Sequence, residues 1–534
     1  MDFSTLTSSL LESKSLDHLG LISGMCNELG IEKQIDMLIP NPGCGKKISY
    51  GKLVVAMIIN GLGFTSKSLY LVQDFFKDKA IDRLLGSKIS ADDINDDNLG
   101  RTLDALFRSN VSSVFSSIAC NAYKYLGLKS SSLHLDSTSF HTDGNHYSSN
   151  NEDVIKITRG YSKDHRPELN QCILNLIIES QSSIPLFMEA ANGNRSDKKG
   201  FAEIVKNHVS RLKNNFEINY FISDSSLYTP ESLAALNESC YFITRVPEVT
   251  LEAKAAIKKA ADADKINIDS NYSFVEYNSN YGDCAQRWFV IHSKEAAEKE
   301  RKSLGRKLEK ITNEEQKSYK SLTRIKFDCY NDATIRLKEF MTSVKLIDTS
   351  NCAVEKVKHK KKISYRIIGE TSFPITSKAE LEKYCGLFIL ATNQLDPTRC
   401  DAADVLSEYK GQHKVERGFR FMKAPYFFTS SFYLKKPERI TALLMIMTLC
   451  LLVYSALEYK LRLGLKLYGL YVLSQTKRKT QAPTAKWVFE SFAGIHIIYH
   501  RNTGSDIQSL ILNLQDRQKV ILQALGDIYA QIYS

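Results

Sequence analysis

Hydrophobic and polar positions alternate with different periods along this chain, and the changes of period divide it. Up to about residue 128 the apolar residues recur at helical spacing. Leu53, Val54, Met57, Ile58 and Leu62 form one such stripe, and Leu99, Leu103, Leu106 and Phe107 another, with breaks at Asn41-Pro42-Gly43 and Gly61 to Gly63. From Ser132 the period becomes two. Leu133-His134-Leu135-Asp136-Ser137-Thr138 alternates apolar and polar side chains, which puts His134 and Asp136 on one face of a strand. Cys172 to Glu179, Pro185 to Ala190, Tyr220 to Ser223 and Tyr241 to Thr244 read as further strands. A helix is expected over Gly200 to Leu212, and another opens at Thr229-Pro230-Glu231, a cap residue followed by Pro at the first turn.

The order of three strands, helix, strand, helix, strand describes a mixed α/β unit, not an alternating doubly wound one. A large insertion follows. It holds a charged helical stretch from Lys294 to Phe340, strand-like pieces near Val344 to Ile347, Ala353 to Val357 and Tyr365 to Ile368, and a convincing strand at Gly386 to Thr392. The end of the chain reads as helical. The expected segments are a helical N-terminal domain (1–128, for DNA binding or assembly) and the first part of the core (129–246). The insertion (247–395), the final core helices (396–460) and a helical C-terminal region (461–534) complete the chain. Ile440 to Leu457 is nearly all apolar and about the length of a membrane span. Thr441, Thr448, Tyr454 and Ser455 interrupt it, so a buried helix backing the core is the expectation, with no membrane partner.

The 534 residues suffice for two to four domains, and 43% apolar with 25% charged content is ordinary for a globular protein. A net charge of +11 favours an anionic partner, nucleic acid first. Lys356 to Lys362 contains five lysines, of which Lys360, Lys361 and Lys362 form a candidate phosphate-binding cluster. The closest two of the 11 cysteines, Cys385 and Cys400, stand 15 positions apart, and no Cys/His zinc spacing occurs among them. They read as buried apolar residues of a reduced cytosol. The first 17 residues carry no apolar signal core.

The segment Tyr409 to Lys423 carries the most chemistry. Read as one helix, its steps of seven put Tyr409, Glu416 and Lys423 on one face, bordered by Gln412 and Arg420. One carboxylate among a phenol, an amide and two cations suits a surface that meets both a metal ion and phosphates; a solvated basic face is the plain alternative. Asp136 on the first strand and Asp224 at the end of the fourth are the other two acids singled out by position. Were the first and fourth strands neighbours with the last helix across them, these carboxylates would converge. Clustered acids repel one another unless cations sit between them. Mg²⁺ or Mn²⁺, hard cations that prefer oxygen, are the expected cofactors. Glu408, Glu189, Asp143 and Asp197 compete for roles.

The spacing of Tyr409, Glu416 and Lys423 resembles the signature of bacterial insertion-sequence DDE transposases with a Tyr-x2-Arg-x3-Glu-x6-Lys motif. The chain departs from it at Gln412, where the family has Arg. The contexts of Asp136 and Asp224, the run Gly160 to Gln171 and the helical start from Asp17 to about Leu85 are similar too. The resemblance implies a ribonuclease-H-like core interrupted by a β-rich insertion. It also implies Mg²⁺-dependent cutting at the element's ends, then joining of the 3′-hydroxyls to target DNA. Asp136, Asp224 and Glu416 would hold the metals. Tyr409, Gln412, Arg420 and Lys423 would face DNA, in a homodimer acting on double-stranded DNA in the bacterial cytoplasm near the nucleoid. A nuclease on the same core, or an inactive DNA-binding relic, are the alternatives.

Overall fold

The computed structural model describes residues 11–39, 47–64, 71–129, 132–142, 154–216, 218–359, 362–373, 375–424, 434–501 and 507–534. The chain forms two units. The first takes in the residues up to Thr244, Gly282–Cys284 and everything from Ser407 onward; the second takes in Arg245–Tyr281 and Ala285–Leu406.

At the centre of the first unit lie five strands: β1 (Ser132–Thr142), β2 (Asn170–Glu179), β3 (Pro185–Asn192), β4 (Tyr220–Ser223) and β5 (Tyr241–Arg245). In space their order is β3-β2-β1-β4-β5. The pairs β1–β2 and β2–β3 are antiparallel, and β1–β4 and β4–β5 parallel. This is the ribonuclease-H-like arrangement that the resemblance implied, with the first and fourth strands side by side. Between β3 and β4 runs α1 (Asp197–Phe216). The Thr229 hydroxyl caps the helix Pro230–Asn237 by accepting the Ser232 N–H at 3.3 Å, as the Thr-Pro-Glu sequence indicates.

β1 reads as a strand with one polar face, yet both of its faces are buried. The covering element is α3 (His413–Met422), which follows α2 (Ala402–Lys410) and packs on β1 and β2. Several of the buried polar side chains of β1 find partners. His134 meets Gln412, and the Ser137 hydroxyl donates to Asp197 at 2.7 Å.

The apolar run Ile440 to Leu457 lies inside α4 (Pro437–Leu467). Its most apolar 18-residue window is 89% buried within the protein. A helix apolar all round needs apolar neighbours all round. α4 finds them in the helices Leu19–Glu28, Tyr50–Leu62, Asp96–Arg108, Val111–Tyr125 and Asp516–Leu525, and it also touches β3 and α3. Thr441 and Thr448 give their hydroxyls to carbonyls one turn back, at 3.1 and 2.8 Å. Near its start, Arg439 makes a paired contact with Asp104, 2.8 Å at each end. The N-terminal helices are thus held on a helix far along the chain, Asp104 and Arg439 standing 335 positions apart.

The C-terminal region adds strands to its helices. His496–Arg501 and Ile507–Leu512 pair antiparallel, and Leu11–Ser15 joins them as a third strand on the side of His496. The basic run Lys477-Arg478-Lys479 leads from the turn between two very short strands into the second of them, with Lys477 in the left-handed region at φ 59°.

In the second unit, the expected charged helical stretch is two helices, Lys294–Thr323 and Tyr330–Ser343. The antiparallel hairpin Ala353–His359 and Lys362–Ile368 packs on both. Val344 to Ile347, expected as a strand, forms none; its amides from Lys345 to Ile347 go instead to the Glu315 carboxylate, at 2.7 to 3.2 Å. Strands Ile266–Asn267, Tyr272–Tyr281, Cys284–Ser293 and Leu387–Thr392 make an antiparallel meander, the last of them where the Gly386 to Thr392 pattern places it.

Candidate active site

Leu135 of β1 pairs with Ser223 of β4 in parallel register, so the next residues along, Asp136 and Asp224, emerge side by side. The Ser223 hydroxyl donates to the Leu135 carbonyl at 3.0 Å and ties the two strands at this level. Asp224 caps the turn that follows, accepting the Ser226 N–H at 2.9 Å. Two of the three acids that sequence reasoning selected are therefore neighbours, although 88 positions separate them in the chain (224 minus 136).

Lys163 completes this cluster. Its Nζ lies 2.7 Å from the Ser137 carbonyl, 2.8 Å from the Ser137 hydroxyl, 3.1 Å from Asp197 Oδ2 and 3.6 Å from Asp136 Oδ1. Burial pushes the Asp136 carboxyl up to about 6; Lys163 pulls it down, while Asp224 and Asp197 push it further up. Burial works against the Lys163 charge, but Asp136 and Asp197 hold its pKa above the ordinary ammonium value. The site is thus a group of crowded carboxylates with one ammonium set among them.

Lys163 comes from the run Gly160 to Gln171, whose neighbouring residues also turn toward the site. Asp164 takes Lys423 Nζ at 2.6 Å and faces His141 at 3.7 Å, and the Ser162 hydroxyl meets His141 Nε2 at 2.9 Å. The strap therefore joins the acid cluster to the far end of α3.

The third acid belongs to α3, whose placement over β1 follows from its two ends. At the start, Gln412 is buried; its amide donates to the Leu135 carbonyl at 2.8 Å and its oxygen lies 3.3 Å from His134 Nδ1. At the finish, Lys423 Nζ stands 5.7 Å from the centre of the Phe140 ring. Eleven helical residues rise about 16 Å, and five strand residues span about the same. So α3 runs along β1 in the same direction, over the face that carries His134, Asp136 and Phe140. Glu416, one turn past Gln412, stands about 6 Å further along, which is the level of Asp136 and Ser137. It is exposed. Among the described residues no three acidic, His or Cys side chains lie close enough to share one ion.

The face proposed from steps of seven is altered at Gly411. Tyr409 closes α2, whereas Glu416 lies in α3. Across the junction the amides of Gln412, Lys414 and Val415 bond three residues back, at 3.0, 2.9 and 3.1 Å, so the turn is tighter than an α-helix. The cause is close packing on His134. A β-carbon on Gly411 would come within 2.6 Å of the His134 ring. Burial lowers the His134 pKa to about 4, so this ring is neutral at pH 7.

The other candidates are distributed as follows. Gln412, expected to face DNA, is instead the buried anchor just described. Tyr409 and Lys423 are half-buried, and Arg420 is exposed. Lys360 and Lys361 lie outside the described residues, and Lys362 begins a strand of the hairpin in the second unit. Lys356 and Lys358 of that hairpin are exposed. Glu189 is bound by Asn175 at 3.0 Å and Arg195 at 3.2 Å, and Asp143 lies outside the described residues. Lys163 carried no signal by type. Only its place in the Gly160 to Gln171 run pointed to it.

The donor set suits a hard divalent cation. Asp136 and Asp224 offer adjacent carboxylate oxygens, and the one positive group already among them is an ammonium. Sulfur and imidazole ligands are not part of the cluster.

Residues 11–120 match a domain of unknown function (DUF4277). No curated protein matches the chain. Among solved structures, a piggyBac transposase synaptic complex with hairpin DNA is similar over 90% of this chain and 80% of its own, at 10% identity and a TM-score of 0.37. At that score the likeness adds nothing to the strand order itself. Residues 128–453, which contain all three acids and the first half of α4, match the transposase DDE domain, and on that match over more than half its length the chain belongs to the DDE transposases.

Proposed function

We propose that this enzyme cuts the ends of an insertion element and joins the freed 3′-hydroxyls to target DNA, with Asp136, Asp224 and Glu416 as the ligands of two Mg²⁺ or Mn²⁺ ions. The observation that supports the reading is the parallel pairing of Leu135 with Ser223, after which Asp136 and Asp224 follow on neighbouring strands, with α3, the helix of Glu416, laid along β1. Divalent ions bound there would activate the attacking oxygen and stabilise the leaving one in an in-line displacement at phosphorus.

The protein's own residues have separable tasks. Asp136 within β1 and Asp224 just past the end of β4 hold negative charge. Lys163 offsets that charge and gives way as cations load. Gln412 fixes the start of α3 against β1, and the Lys423–Asp164 pair fixes its end. Arg420 and Tyr409 border the same helix and would meet the DNA backbone, as would Lys423 once released from Asp164. The reading carries with it a bacterial source, membership of the Tyr-Arg-Glu-Lys signature group with Gln412 as a departure, action on nucleoid DNA in the cytoplasm, and a homodimer bridging two element ends.

Incubating the protein with DNA carrying the element's terminal repeats, a supercoiled target plasmid and Mg²⁺ tests this. End cleavage followed by covalent joining is the expected outcome. Cleavage without joining would indicate a nuclease, and binding without either would indicate a relic.

A further inference from the structure

A cavity of about 520 Å³ opens on the flank of α3 next to the one that carries Glu416. Its walls are α3 and α4, and the turn between β2 and β3 closes one side. Four cations line it, Lys414 and Arg417 from α3 and Arg462 and Lys466 from α4, against a single carboxylate, Glu458. That carboxylate is already engaged, by Arg462 at 2.6 Å and by the Ala485 N–H at 2.8 Å. Lys414 donates to the Ser180 carbonyl. Arg417 and Lys466 are exposed, and neither makes an ion pair or hydrogen bond among the described residues.

Between the cations the lining is aromatic. Phe421 and Tyr454 lie with ring centres 4.4 Å apart, and Tyr459 takes a hydrogen bond from Gln181 at 3.3 Å. Unpaired cations and aromatic rings lining one cavity match the two parts of a nucleotide: a phosphate that needs positive charge and a base that needs a stacking surface. A cavity made only for packing would bring neither uncompensated Arg nor Lys. It adjoins the helix of the third acid without using Glu416, Gln412 or Lys423.

We propose that this cavity holds one nucleotide of the DNA strand being processed, with Arg417 and Lys466 on its phosphates and Phe421 and Tyr454 against its base. This rests on the transposase reading above, and it adds a strand-holding site on the flank of the catalytic helix.

The test is fluorescence anisotropy in EDTA with a labelled single-stranded oligonucleotide and its duplex, so that chemistry plays no part. Charge reversal in R417E/K466E should weaken strand binding about tenfold or more and reduce the salt slope by about 1.5, while R417K/K466R stays near wild type. Thermal melting checks that the variants fold. Photocrosslinking of iodouracil-containing DNA to the unaltered protein should label peptides containing Phe421 or Tyr454. Unchanged affinity in a folded R417E/K466E, or crosslinks confined elsewhere, would overturn the proposal. So would competition showing that free dAMP occupies the cavity while DNA affinity ignores the charge reversal. Failure of wild-type DNA joining would instead sink the transposase reading, so the two failures are distinguishable.

Discussion

At the scale of single residues, the site is a balance of charges set by burial. The Asp136 carboxyl has a folded pKa of about 6 against an ordinary 3.8, so the folded protein holds this proton more tightly than the unfolded chain. In metal-free protein its contribution to stability is greatest in acid and fades as pH rises through 6. A divalent ion needs the ionised form. Mn²⁺ affinity should therefore climb between pH 5 and about 6.5 and level off above it, and calorimetric titration across that range checks the sign. Lys163 is the residue that makes this tolerable. Replacing it in K163M removes the one ammonium that, among the described residues, sits with these acids, which should cost the metal-free protein about 1–3 kcal/mol and enlarge the upward shift in melting temperature on adding Mn²⁺. A melting curve indifferent to both changes would show Lys163 to be incidental. Asp136 and Asp224 were legible in the sequence because each ends or interrupts a strand of clear period. Lys163 was not, since nothing local says that the run from Gly160 folds back onto β1.

At the scale of elements, what matters is how α3 is held on β1. The spacing of Tyr409, Glu416 and Lys423 suggested one continuous face, and the alternation of β1 suggested a half-exposed strand. Both readings assumed regular elements in isolation. Packing α3 directly over His134 buries the polar face of β1 and tightens the helix at Gly411, where a side chain has no room. G411A should accordingly lower stability by about 1–3 kcal/mol and depress DNA cleavage more than DNA binding, since it displaces the helix of the third acid. Denaturant unfolding together with a binding titration checks both parts, and a fully active, equally stable variant would refute this account of the junction. The cap at Thr229 and the burial of α4 were readable because capping and all-round apolarity are local properties. The pairing of Leu11–Ser15 with His496–Arg501 was not, because strand partners so far apart leave no local mark.

At the scale of the whole molecule, the net charge of +11 points to a polyanion, and its distribution makes the claim testable. Lys356 and Lys358 are exposed on the hairpin of the second unit, where each is free to meet a phosphate. K356A/K358A should weaken DNA binding at every sequence alike and lower the salt slope by about 2, leaving metal binding untouched. A salt slope equal to that of wild type would remove the hairpin from the DNA path. The mixed α/β character was legible in the sequence order of strands and helices, because parallel neighbours need crossovers and α1 and the helix Pro230–Asn237 supply them; that β1 would lie beside β4 was only a condition there.

The central claim is that Asp136, Asp224 and Glu416 serve one pair of cations, and the most direct test asks the cations where they sit. Fe²⁺ substituted for Mg²⁺ in the DNA complex, with ascorbate and peroxide, cuts the polypeptide backbone close to the bound metal, and mass spectrometry locates the breaks. The account predicts cuts beside Asp136, beside Asp224 and within α3 near Glu416, all suppressed by excess Mg²⁺. Cuts at the two strand ends with none in α3 would contradict it.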